Sequence, residues 1–142
     1  LRLAGDLLLI YSLLGILWPF APMHQRPVLA AGGATLSDTF HIALGAITEI
    51  IYLVVMGLVA AALGRAFRLY SIASFTVLLV FGILTFSAAS GVGTNQPTPL
   101  IGVWERVNIG AFLLWVSVLA IALEKRTTND VAVRKRENVQ PR

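Results

Sequence analysis

The chain has 142 residues, 57% of them hydrophobic and only 13% charged, with a mean hydropathy of +0.81. Soluble domains carry about 25% charged residues, so a water-soluble globule is a poor match, and the apolar residues come in runs separated by short polar stretches. The absence of cysteine excludes disulfides, thiolate metal sites and cysteine nucleophiles. The pI near 10.1 does not point to nucleic acid, because six of the eleven Lys and Arg residues lie after residue 123 rather than on a folded face.

A helix needs roughly 20 apolar residues to cross about 30 Å of hydrocarbon. Four segments meet that requirement, and the fold class is an all-α transmembrane helical bundle. The first runs over residues 3–20 and is closed by Pro19 and Pro22. The second covers 40–63, entered through Ser37 and Asp38, both good helix-capping types. The third covers 69–89 and the fourth 103–123. Each is apolar on all sides, as a membrane span is and an amphipathic surface helix is not. The transmembrane domain is therefore 1–123, and the polar tail 124–142 has no hydrophobic period and is expected to be disordered. The chain begins at Leu1 without Met and without the basic start of a signal peptide, which suggests a fragment of a longer multi-pass protein.

The connections differ. Residues 21–37 hold Pro22, Pro27 and Gly32-Gly33; residues 64–68 form a tight basic turn; residues 90–102 are rich in Gly, Thr, Asn and Pro. On one side of the membrane lie Arg2, Arg65, Arg68 and six tail residues, nine in all, against Arg26 and Arg106 on the other. By the positive-inside rule both ends of the chain are cytoplasmic. Trp18 and Trp104 then fall at the outer interface and Tyr70 at the inner one. Gly57 and Ala61 form a small-xxx-small pair, read as helix packing inside the chain; the sequence leaves the oligomeric state open.

Four stretches occur in order: Trp18-Pro19-Phe20-Ala21-Pro22-Met23-His24-Gln25-Arg26, Ser37-Asp38-Thr39-Phe40-His41, Phe67-Arg68-Leu69-Tyr70-Ser71 and Gly102-Val103-Trp104-Glu105-Arg106-Val107-Asn108-Ile109. With them the chain resembles, over residues 1–123, the prokaryotic membrane family catalogued as domain of unknown function 998. The resemblance implies a small multi-pass protein with about two further helices ahead of Leu1, of which this chain is the C-terminal two-thirds. It implies a fold and a location, and no activity. The tail from Glu124 and the carboxylate of Glu49 fall outside the family pattern.

Ionisable groups in or beside a membrane are costly, so each invites a functional reading. His24, Arg26, Asp38, His41, Glu105 and Arg106 gather at the outer rim. The plain reading is capping, ion pairing and snorkelling. The sharper one is an anion site: Arg26 and Arg106 as a bidentate clamp on a lipid head group or small acid. With two histidines and no local ligand pattern, no metal site is assigned, nor any cofactor. Ser37, Asp38 and His41 are close enough in sequence to suggest a hydrolase, but capping explains the first two. Within the bilayer, His41, Gly45 and Glu49 share a helix face, and Glu49 lies about 12 Å deeper than His41. Asn108 lies one turn into the fourth span. An isolated ionised carboxylate is expensive there, and no second acid at that depth extends a relay, so a neutral, hydrogen-bonded glutamate is the plainer reading. The function read from sequence is ligand, lipid or partner binding at the outward face. The alternatives are a transporter or ion-coupled carrier and a membrane-embedded hydrolase.

The orientation can be tested with single cysteines, since none is native. In intact cells an impermeant thiol reagent is expected to label Ala31→Cys and Thr94→Cys and to spare Thr128→Cys. Labelling of Thr128→Cys alone reverses the topology.

Overall fold

A computed structural model describes residues 1–139. Helix α1 spans Arg2–Gly15 and runs into a 3-10 turn at Trp18–Phe20; a short helix α2 covers Arg26–Ala30. Three long helices follow: α3 at Leu36–Ala62, α4 at Arg65–Gly93 and α5 at Ile101–Val139. No strand occurs among the described residues. Four helical stretches are long and apolar enough to cross a membrane: Arg2–Phe20, Leu36–Ala62, Arg65–Gly93 and Ile101–Asn129. The chain is a multi-pass integral membrane protein of the all-α class.

The helices pack in sequence order, α1 on α3, α3 on α4 and α4 on α5. The short links 63–64 and 94–100 make α3, α4 and α5 successively antiparallel, and the contact of Trp18 with His41 brings the end of the first span to the start of α3. The end of α1, the start of α3, the end of α4 and the start of α5 therefore share one end of the bundle, the loop end. The outside carries exposed Ile, Leu, Val and Phe from all four spans. That surface suits lipid, where apolar side chains lose nothing by facing outward.

The interior is aromatic. Tyr52 of α3 stacks on Phe112 of α5 with ring centroids 4.6 Å apart, and Tyr11 of α1 meets Phe112 edge-on at 5.0 Å. Phe112 stacks in turn on Trp115, and Phe67 of α4 closes on Trp115 at 6.0 Å. Trp115 is fully buried, and its indole N–H donates to the hydroxyl of buried Ser71 at 3.0 Å. Leaving either group unpaired there costs about 1–3 kcal/mol, so this bond fixes the depth of α5 against α4.

Several boundaries differ from the expected ones. Helix α3 begins at Leu36, capped by Thr35, with Asp38 at the third helical position rather than at the cap. The expected basic turn at 64–68 shrinks to Leu63 and Gly64, and Arg65–Arg68 are already helical. Arg68 donates through Nε to the carbonyl of Ala60 at 3.1 Å, satisfying a group at the C-terminus of α3. The tail expected to be disordered continues α5 as far as Val139; residues 140–142 lie outside the described part. No Gly or Pro falls between Gly110 and Pro141, and Glu, Lys, Arg and Ala propagate a helix that a folded span has already nucleated.

The small-residue pair also behaves differently. Gly57 and Ala61 are exposed, and a Cβ at Gly57 would meet nothing within 4 Å. The close helix approach is made by Gly82 of α4 instead.

Candidate functional site

At the loop end, Asp38 organises the connection between α1 and α3. Its Oδ1 accepts the backbone N–H of His24 at 2.7 Å, and its Oδ2 accepts His24 Nδ1–H at 2.9 Å. The same Oδ2 accepts the backbone N–H of Thr35 at 2.8 Å and the Thr35 hydroxyl at 3.0 Å. Helix α3 has 27 residues, about 40 Å at 1.5 Å per residue, so its first turn projects beyond about 30 Å of hydrocarbon. Asp38 lies in that projecting turn. The backbone N–H groups of His24 and Thr35 hold its carboxyl well below the usual carboxylate range, with the side chains of His24 and Thr35 adding to the effect.

The neighbouring polar groups are similarly committed. Ser37 donates its hydroxyl to the carbonyl of Pro22 at 2.6 Å. His41 donates from Nδ1 to the carbonyl of Ala21 at 2.7 Å, with its ring edge-on to Trp18 at 5.1 Å. Ser37, Asp38 and His41 thus serve three separate bonds, and no nucleophile–base pair forms. Among the described residues no group of three His, Asp or Glu side chains is placed to hold a metal.

The expected arginine clamp is not assembled. Arg26 donates from Nη1 to the carbonyl of Gln96 at 2.8 Å and from Nη2 to the hydroxyl of Thr98, tying α2 to the loop after α4. Arg106 turns back along its own helix to the carbonyl of Gly102 at 2.7 Å. Asp38 and Glu105 form no ion pair with Arg106 among the described residues, and Glu105 is exposed. A cavity of about 320 Å³ does open at this end, lined by Ser87, Ser90, Gln96, Thr98 and Trp104 among others, but neither arginine lines it. A guanidinium has donors on a long stem, and each arginine turns to acceptors in its own neighbourhood, Arg26 to Gln96 and Thr98 and Arg106 to Gly102. Of the six rim residues the structure links His24 with Asp38 directly and sets His41 beside them, while Arg26, Glu105 and Arg106 are engaged or exposed elsewhere.

The polar centre of the bundle is different. Thirteen residues of α3 precede Glu49 (36–48) and thirteen follow it (50–62), so it is the middle residue of that helix. Asn108 of α5 donates from Nδ2 to Glu49 Oε1 at 3.4 Å, and its own Oδ1 accepts the hydroxyl of Tyr52 at 3.0 Å. Asn108 and Tyr52 are buried, whereas Glu49 is half-buried. Tyr52 donates to Asn108 and lies within hydrogen-bonding reach of the Glu49 carboxyl as well, so the three side chains form one polar cluster.

Gly82 of α4 makes this arrangement possible. A Cβ there would lie 2.0 Å from Glu49 Oε1 and 2.9 Å from its Cδ. The carboxyl therefore occupies the space a side chain would fill. Beside it a groove of about 480 Å³ opens between α3 and α4. Its walls are Ile50, Leu53, Leu79, Ile83 and Phe86, with Glu49 as the sole ionisable group lining it. Tyr52 and Gly82 were absent from the site read off the sequence. Tyr52 carries a signal, since residues three apart share a helix face; an isolated Gly in an apolar helix hints at close approach without naming what approaches.

No family model and no solved structure matches the chain. Among curated proteins it is similar to aquaporin AqpM of Methanothermobacter thermautotrophicus, 35% identical over 82 residues, which are 56% of this chain and 31% of AqpM. The chain thus spans less than a third of the length of that relative.

The acid strength of Asp38 gives a pH signature. A carboxyl held low in the folded state contributes stability that is complete above the ordinary aspartate value of about 3.9 and is lost as pH falls through the folded value. In detergent, Asp38→Asn is expected to melt below the wild type at about pH 7, and the gap is expected to narrow steadily below about pH 4. A gap independent of pH would show that the carboxylate charge carries no stability.

Proposed function

We propose that this membrane protein binds a membrane-borne ligand at Glu49, in the groove between α3 and α4. The observation that carries the reading is the placement of that carboxyl: held by Asn108 through Oε1, Glu49 lines a groove on the surface of the bundle whose other walls are almost entirely apolar. A carboxyl kept in hydrocarbon at several kcal/mol on the wall of an apolar groove is a poor structural element and a good polar anchor. Binding of a lipid head group or small acid at the loop end is disfavoured, because Arg26 would have to leave Gln96 and Thr98. A hydrolase is disfavoured by the separate commitments of Ser37, Asp38 and His41.

A second reading, a transporter or ion-coupled carrier, takes its only hint from the partial similarity to aquaporin AqpM. Glu49 is then the group that holds the passing or coupling ion. We also propose membership of the family catalogued as domain of unknown function 998, on the four motif stretches alone; in two of them Trp18, His24, Ser37, Asp38 and His41 gather at the loop end. The outward direction of that end, with both chain ends cytoplasmic, rests on the nine-to-two distribution of Lys and Arg.

Carbodiimides that partition into lipid test the open carboxyl. In proteoliposomes, dicyclohexylcarbodiimide is expected to add once, at Glu49, as located by peptide mass spectrometry, and to add nowhere in Glu49→Gln. A water-soluble carbodiimide is expected to spare Glu49. If Glu49 reacts only with the water-soluble reagent, or with neither, the groove is not a route from the bilayer.

A further inference from the structure

We infer that the Glu49 groove takes a hydrophobic monovalent organic cation, one whose positive centre sits against the carboxyl and whose apolar body lies along α3 and α4. The inference rests on the binding reading above and gives the ligand its chemical class.

The charge follows from the count of groups. Glu49 is the sole ionisable residue lining the groove, and Ser87 is the other polar side chain there. A single carboxyl neutralises a single positive charge; a divalent ion would be left with one charge bare in hydrocarbon, which is far costlier. An anion would face the carboxyl with no compensating donor beyond that hydroxyl. The apolar body follows from the walls. Ala46, Ile50, Leu53, Leu79 and Ile83 present no polar side-chain atoms, so a small hydrated cation would lose its water shell and regain one contact. A cation carrying its own apolar groups has little water to lose. Phe86 adds a ring face, which favours a cation further.

The geometry supports exchange of the cation with a proton. A lone carboxylate in this setting is unfavourable, so the empty site holds the neutral acid, hydrogen-bonded to Asn108 at 3.4 Å. When the cation arrives, the O–H bond of the acid breaks, the proton leaves to solvent, and the ion pair replaces it with no net change of charge in the membrane. Tyr52 and Tyr11 are the nearest other titratable side chains, and Tyr52 already donates to Asn108. Gly82 supplies the clearance: any side chain there would meet Glu49 Oε1 and displace the carboxyl from its present position.

Tetraphenylphosphonium and tetraphenylborate make a decisive pair of probes, because they share a shape and differ in the sign of charge. Equilibrium dialysis of the full chain in a neutral detergent is expected to give saturable binding of tetraphenylphosphonium, close to one per chain. Tetraphenylborate is expected to bind no more than empty micelles allow. Glu49→Gln is expected to weaken tetraphenylphosphonium at least tenfold. Ile83→Trp, which fills the groove without altering the carboxyl, is expected to weaken it by a similar factor. Arg106→Gln, remote from the groove, serves as the folded control and is expected to bind like wild type. Equal binding of the two probes, or unchanged binding in Glu49→Gln, overturns the inference. If either result is found in protein whose Glu49 still reacts with dicyclohexylcarbodiimide, the groove remains a ligand site and only the cationic class fails. Loss of that reactivity as well removes the site itself.

Discussion

A carboxyl in the middle of a membrane helix has few ways to exist, and the rest of this bundle is arranged around the one it adopts. Glu49 has no water to turn to at that depth. Its partner is Asn108, which is itself held by Tyr52 from the same helix as the glutamate. The chain Tyr52–Asn108–Glu49 ties α3 to α5. The bare Cα of Gly82 lets α4 close over the carboxyl. Below it, Tyr52, Phe112 and Trp115 continue as an aromatic stack, pinned by the Trp115–Ser71 bond. Polar and aromatic contacts thus supply the specificity that apolar side chains cannot supply in lipid.

The loop end solves a different problem. It collects six of the eleven Arg, His, Asp and Glu side chains that precede the tail, and all of these but Glu105 bond to the chain itself. Asp38 gathers four donor contacts from His24 and Thr35. Arg26 crosses to the 94–100 loop, where Asn95 adopts a left-handed φ of 56° and the Gln96 N–H returns to the Gly91 carbonyl. That loop is thereby presented to the guanidinium. Such a network holds the helix ends in register and leaves little free charge for chemistry. The functional weight moves from the rim, where the charges are numerous, to the membrane centre, where there is one.

The four spans were legible because apolar runs of membrane length admit no other economical fold, and Glu49 was legible because depth follows from counting residues along a helix. What the sequence did not disclose was tertiary. Arg26 and Arg106 belong to the same end of the bundle, but the reach of a guanidinium exceeds the distance to several competing carbonyls, so a shared end does not make a shared site. Asp38 looked like a helix cap and is the third residue of the helix, because Thr35, three residues earlier, offers an equally good cap and gains the Asp38 carboxylate as its partner. Gly57 looked like the packing glycine, and Gly82 is; the difference lies in which helix face meets a neighbour, which a run apolar on all sides does not encode. The tail from Glu124 lacks a hydrophobic period, and that pattern speaks to burial, not to whether an existing helix continues.

The central claim is a neutral Glu49 held by Asn108 in the bilayer. Infrared spectroscopy of the reconstituted protein at about pH 7 tests it directly. A protonated-carboxyl band is expected that disappears in Glu49→Gln and shifts to higher frequency in Asn108→Leu, where the hydrogen bond is lost. A spectrum with no such band, or one in which the band survives Glu49→Gln, would contradict it.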